Sequence, residues 1–309
     1  DITLNLLARF DQSLQLDLNV SELSFSDTAG ELSFAGLDAN VDVAADQSAY
    51  ISVQMGELSA TESTANSNVL ITGMTLTSST TQMNDILTQS RARFSIPAVS
   101  STWPLPFSVS GIGIDYGLQA SPGKENFSEI YQTIQLASIE SEIPVRSFSW
   151  LSEIKQVNNE LLRDYYRLLS EVQNEINSDA DAVSVDFVEL GQEMYLLVLR
   201  NPLELNNRIE ANSYDGDHIV DLRVLWSGIS TLNSAAEFNV NAAIAALNMT
   251  LEISLDLEAI LRSPLAGLVD PYVQQGYLTV SNGRVMIEAS VQNNVLKVNG
   301  DELPLDQFF

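Results

Sequence analysis

At 309 residues and 33.8 kDa the chain is long enough to bury a sizeable core, as one large domain or two ordinary ones. Acids outnumber bases 41 to 14, and the formal charge of −27 at pH 7 repels a phosphate backbone, which argues against nucleic acid as a partner. The absence of Cys excludes disulfide frameworks, thiolate nucleophiles, zinc knuckles and iron–sulfur ligation.

The first 120 residues predict strands. Leu14, Leu16, Leu18 and Val20 alternate with Gln15, Asp17 and Asn19, the period of two that marks a half-buried strand. Leu23 and Phe25, Leu32 and Phe34, and Ala39, Val41 and Val43 repeat the pattern, punctuated by Asp27-Thr28-Ala29-Gly30 and Gly36. Tyr50–Met55 and Val69–Leu76 follow, the latter interrupted at Gly73. Strand-turn-strand spacing without intervening helical segments predicts antiparallel pairing. Pro97, Pro104 and Pro106 suggest an irregular bridge out of this sheet.

Residues 121–178 predict helix. Asn126 and Glu129 resemble a capping box ahead of Phe127, Ile130, Tyr131 and Ile134. From Trp150 to Ile176 there is no Pro or Gly, and Ile154, Val157, Leu161, Tyr165, Leu168, Val172 and Ile176 fall in steps of three and four. Ser149 is the candidate N-cap of this helix, about 40 Å long at 1.5 Å per residue and able to lie across a sheet. Residues 179–309 return to strands with short helices. Val183, Val185 and Phe187 alternate, Met194–Leu199 is a buried-strand candidate, and 209–226 suggests a hairpin around Asp215-Gly216. Met249–Leu255 alternates, two short helices flank Pro264, and Val285–Val291 leads through Asn293-Asn294 to Val295–Val298 and Asn299-Gly300. The expected fold is α+β and mainly β. One elongated domain spans residues 1–309, with large curved antiparallel sheets, one long helix near the middle and short helices towards the end.

Chemical motifs are sparse. His218 is the sole histidine, and no Gly-x-Ser-x-Gly elbow accompanies it, so a Ser–His–acid triad has little support. Ser152–Lys155 and Ser121–Lys124 match Ser-x-x-Lys without the companion motifs that give that pattern meaning. The glycines at 111, 113 and 117 are spaced wrongly for a dinucleotide loop, and Ile112 and Ile114 between them indicate strand. Asn177, Asp179 and Asp181 match the start of a calcium loop, but Ala182 stands where Gly is needed and Glu189 comes one residue late. Asp215, Asp217 and Asp221 form a second acidic cluster with an equally incomplete ligand set. No catalytic, cofactor-binding or metal-ligating residue is assigned.

The C-terminal segment is the most distinctive. Leu265-Ala-Gly-Leu-Val, Val273-Gln-Gln-Gly-Tyr-Leu, Val285-Met-Ile-Glu-Ala-Ser-Val and Val295-Leu-Lys-Val-Asn-Gly300 with Leu303-Pro304-Leu305 resemble the end of bacterial YdgA-like proteins. Leu32–Leu37 and Ile71–Met74 agree more loosely. The resemblance implies a periplasm-facing protein of the Gram-negative cell envelope with no assigned activity. The opening at Asp1 suggests a trimmed ectodomain whose membrane association would run through an anchor absent from this chain. The resulting expectation is a non-enzymatic envelope protein that binds lipid, or a hydrophobic segment of a partner, on the apolar face of its sheet. The sequence is compatible with that face being an open groove or being filled by the helix. The alternative is an acid/base hydrolase of envelope glycans working through paired carboxylates.

Overall fold

The computed structural model describes residues 1–63, 67–82, 88–102, 106–142, 144–178, 187–234 and 237–303. The first third is all strand: β1 (Ile2–Ala8), β2 (Leu14–Val20), β3 (Leu23–Ser26), β4 (Gly30–Phe34), β5 (Leu37–Val43), β6 (Ala49–Met55), β7 (Leu58–Glu62), β8 (Ser67–Ile71) and β9 (Met74–Gln82). Four long strands follow, β10 (Thr88–Ser101), β11 (Phe107–Ala120), β12 (Phe127–Ser141) and β13 (Val145–Asn158), and then helices α1 (Asn159–Ser178) and α2 (Phe187–Arg200). The remainder comprises β14 (Leu203–Ser213), β15 (Gly216–Trp226), α3 (Val240–Ala246), β16 (Leu247–Asp256), α4 (Leu257–Arg262), α5 (Ala266–Gln274), β17 (Thr279–Ser281), β18 (Arg284–Gln292), β19 (Val295–Val298) and β20 (Asp301–Leu303). All strands join one antiparallel sheet that does not close on itself. No helix among the described residues is long and apolar enough to cross a membrane.

The strands beside β10 are long ones interrupted in mid-course. β10 pairs with β9 through residues 88–95 and with β8 through residues 99–101 in one unbroken register, and β6 with β7, β5 with β4 and β2 with β3 continue each other in the same way, out to β1 beside β2. Across the interruption the Thr72 N–H donates to the Ala98 carbonyl at 3.0 Å and the Gly56 N–H to the Gly36 carbonyl at 2.8 Å. Pro97 lies inside β10 rather than in a bridge beyond the sheet. The Ala98 backbone faces β8 and β9, so Pro97 turns the side that has no N–H towards β11, where the pairing skips Gly111. Pro104 lies outside the described residues. The predicted turns at the other end form as expected: Asn293 and Asn294 have φ of 51° and 64°, and Asn299 and Gly300 of 50° and 91°. These are left-handed conformations that Asn and Gly tolerate and that tight hairpins require.

The helical reading of 121–178 holds only from Asn159. Residues 127–141 and 145–158 are strands, and Asn158, not Ser149, caps α1, its Oδ1 accepting from the Glu160 N–H at 2.9 Å. Two features imitate helical spacing. Tyr131, grouped with Ile130 and Ile134 by the predicted helix, lies on the opposite face of β12, where its ring crosses Gly117; a Cβ there would come within 2.5 Å of the ring. In β13, Ile154 and Val157 are three residues apart yet share a face, because the register with β12 slips between Ile130↔Ile154 and Ser128↔Val157. The extra residue is Gln156, at φ 59°. Met194–Leu199, predicted as a strand, belongs to α2. Val183 and Val185 lie outside the described residues.

Val157 is 3% exposed and packs with Leu118, Leu161 and Leu162, so the bulge is what docks α1 on the sheet. Deleting Gln156 turns Val157 to the opposite face. The expected loss is at least about 2 kcal/mol, the burial of one valine, with accelerated amide exchange in α1. Chemical denaturation and hydrogen exchange of the deletion variant check this; an unchanged midpoint would refute it.

Candidate functional site

The register of the sheet lines up a continuous apolar row. Cα partners run from Leu4 through Leu18, Ala39, Val53 and Leu76 to Phe94. The same row continues through Ile114, Ile134, Trp150, Ile209 and Val220 to Ile253 and Ile287. Thirteen strands at a spacing of about 4.8 Å make it roughly 58 Å long. None of its members is buried: Leu4 is 62% and Ile114 38% exposed, and the others are half-buried. A second layer packed over this face would bury its central members, as a sandwich core does. The face is open.

Helices occupy its two ends. Around Leu118, Ile130 and Ile154, Leu161 and Leu162 of α1 make one buried cluster, with Leu197 of α2 against it. At the other end of the strands Ile260 of α4 and Val269 of α5 close over Val285, beside Leu255. Asp256 caps α4 by accepting from the Ala259 N–H at 2.9 Å. Next to this second cluster is a cavity of about 420 Å³ lined by Leu255, Ile260, Leu268, Val269, Tyr272 and Val285, among others. Ile287, the last member of the long row, also lines it, so the cavity continues the apolar face under α5. One polar island interrupts that face: Gln132, Ser152 and Asn207 are register partners, and Asn207 Oδ1 accepts from Trp150 Nε1 at 3.1 Å.

The opposite face is polar and tied across its strands. Asp17 accepts from Asn40, Asp115 from both Arg91 and Arg93, and Asp221 from Arg208. The hydrogen bond from Arg91 holds the Asp115 carboxyl below the usual carboxylate range against some burial, and Arg93 adds to it. Burial pushes Glu204 up, but hydrogen bonds from Asn206 and Gln156 and the charge of Arg223 outweigh it. Asp11 and Asp46 are lowered by bonds from Ser13 and Ser48. All four are kept ionised, whereas a general acid needs a carboxyl held up.

The residues singled out in the sequence do not assemble. Ser152 and Lys155 point to opposite faces of β13, and Lys155 pairs with Glu153 at 2.8 Å. Lys124 lies 5.8 Å from the centre of the Phe127 ring. His218 sits on the apolar face between Ala211 and Leu255; its Nε2 donates to the Ser213 carbonyl at 3.1 Å, and Nδ1 is buried without a hydrogen-bond partner. Asp217 accepts from Asn212 and Asp221 from Arg208, while Asp215 belongs to the turn before β15. Asp179 and Asp181 lie outside the described residues, and among the described ones no three His, Cys, Asp or Glu side chains converge. Sequence reasoning names several members of the row, Leu18, Ala39 and Ile114 among them, but misses their alignment across strands, because alternation within each strand is the only signal.

An open antiparallel sheet, apolar on one face and cross-linked by polar side chains on the other, defines the class of this protein. Residues 2–306 match the model of a family described as bacterial proteins of unknown function, DUF945, and the chain belongs to that family. No curated protein and no solved structure matches it.

Because the Asp115 carboxyl is lowered in the fold, its contribution is present above its unfolded value near 3.8 and is lost as pH falls through the lower folded value. The side chain is 20% exposed and its arginine partners more than half exposed, so the pairs are screened and together contribute about 1 kcal/mol. Asp115→Asn is expected to lower the melting temperature at pH 7 by about 2–4 °C. The gap to the parent should narrow as the pH falls below 3.8 and Asp115 takes up its proton. A gap of constant size across pH would refute the ionic origin.

Proposed function

We propose that this is a non-enzymatic protein of the bacterial cell envelope that holds a lipid acyl chain, or an apolar segment of a partner, along the open face of its sheet. The observation that carries the reading is the thirteen-strand apolar row without a buried member. Large exposed apolar patches rimmed by polar residues mark interaction surfaces, because water leaves them at a gain of about 25 cal/mol per Å². An acyl chain matches such a surface: it is narrow, flexible and free of hydrogen-bonding groups, so it asks nothing polar of the side chains beneath it. The Gln132–Ser152–Asn207 island offers amide and hydroxyl groups where a headgroup or a peptide backbone would need them. The narrower kinship with YdgA-like proteins and the periplasm-facing location rest on the C-terminal motifs from Leu265 to Leu305.

Native mass spectrometry after detergent-free purification tests the reading. The expected result is a population carrying extra mass that extracts as lipid. Ile114→Gln places an amide on the most exposed central position of the row, where a polar side chain costs the fold little. It is expected to weaken acyl-chain binding about tenfold, the equivalent of 1.4 kcal/mol, with little change in circular dichroism. Clean apoprotein that also fails to bind a fluorescent fatty acid would overturn the proposal.

A further inference from the structure

The far edge of the sheet is built to pair with itself. Among the described residues β1 has a single strand neighbour, β2. The Ser21 N–H donates to the Asp1 carbonyl at 2.9 Å and the Arg9 N–H to the Ser13 carbonyl at 3.0 Å. Odd-numbered residues of β1 therefore turn their backbone groups towards β2. Antiparallel alternation then points those of Ile2, Leu4, Leu6 and Ala8 away from the sheet. Edge strands are ordinarily blunted by lysine, proline or a bulge. β1 has none of these: Ile2–Ala8 carries no charge, and Ile2, Leu4 and Leu6 are 75%, 62% and 64% exposed.

We infer that β1 is a dimerisation edge, on which a second copy of this chain adds its own β1 antiparallel, centred on Asn5. Only even residues have free backbone groups, so residues of like parity must face one another, and the charges at the strand ends select among the registers that remain. Centred on Asn5, Leu4 faces the partner's Leu6, Ile2 faces the partner's Ala8, and Asp1 faces the partner's Arg9. All contacts on the apolar face are apolar, and both ends close in an opposite-charge pair. A shift of two residues one way sets Asp1 against the partner's Leu7; the other way it carries Ile2 and Asp1 past the end of the partner's β1 into the turn at Phe10 and Asp11, where no strand pairing is available. The −27 charge of each copy opposes association at long range, but the Debye length at physiological ionic strength is about 8 Å, and the contact strands are neutral. The dimer carries the long apolar row across the two-fold axis without a break. The inference rests on backbone polarity and end charges and stands whatever the apolar face holds.

Sedimentation equilibrium of the full chain tests it, with a mass of twice 33.8 kDa expected. Leu6→Pro removes an outward N–H while leaving every donor of the β1–β2 ladder in place, and should halve the observed mass without a change in circular dichroism. Arg9→Asp should also give monomer, and adding Asp1→Arg to it should restore the dimer. Because the chain has no cysteine, Asn5→Cys supplies a single thiol on the two-fold axis. Facing residues of a non-hydrogen-bonded pair have Cα atoms about 4.5 Å apart, within disulfide reach, so oxidation should cross-link it. Thr3→Cys, roughly 13 Å from its own counterpart at about 3.3 Å per residue, should not cross-link. A monomeric parent chain overturns the inference, even if β1 captures a foreign extended peptide. So does a dimer that survives Leu6→Pro and leaves Asn5→Cys uncross-linked.

Discussion

Register is the constraint on which the rest depends. Each strand turns alternate side chains to the two faces, so a slip of one residue between any two neighbours would move every later apolar side chain to the wrong side. From Leu4 to Ile287 no such slip survives across the row. Where an extra residue enters, as at Gln156, it works in favour of the apolar face by carrying Val157 onto it. The hairpin turns serve the same end. Tyr214 and Asp215 take φ of 51° and 59°, and Asn282 and Gly283 of 51° and 74°, two-residue reversals that hand parity unchanged to the returning strand.

The two faces are stabilised differently. On the polar side carboxylates and amides bridge neighbouring strands, and many acids remain in water, giving a charge that resists nonspecific collapse of one sheet on another. On the apolar side half-buried branched and aromatic residues support one another across strands, each pair contributing a few tenths of a kcal/mol to about 1 kcal/mol. Full burial is reserved for the ends, where Leu118, Val157 and Leu161 form one cluster and Ile260, Val269 and Val285 the other. Such a sheet is held by lateral pairing more than by a central core. That is why its middle can stay open while the fold persists.

Strands of period two are legible in the sequence, as from Leu14 to Val20 and from Val285 to Val291, and so are the Asn-rich turns. The stretch from Phe127 to Asn158 misleads for a physical reason. A bulge and a tyrosine resting on a glycine both give spacings of three and four, which a one-dimensional pattern cannot tell from a helix. The short apolar run at 194–199 has the opposite ambiguity, since length alone separates a buried strand from a turn and a half of helix. The candidate site is harder still. That Val53 neighbours Leu76 and Trp150 neighbours Ile209 follows from the pairing of β6 with β9 and of β13 with β14, which pass over two strands and two helices and have no local signature.

Whether the described helices could close the face is a question of length. At 1.5 Å per residue the 20 residues of α1 reach about 30 Å, the 14 of α2 about 21 Å, and the seven, six and nine residues of α3, α4 and α5 about 10, 9 and 14 Å, against a row of roughly 58 Å. α1 and α4 follow directly on strands at opposite ends of the sheet's short dimension, α1 on the end of β13 and α4 on the end of β16. Each therefore begins at a rim, and the clusters it forms are rim clusters. Covering the centre would take a layer of several further helices of α1's length. The chain instead continues into strands, each of which lengthens the exposed row by another 4.8 Å or so. An architecture that grows by adding strands widens its apolar face faster than its own helices can cover it, so the open centre follows from how the sheet is extended.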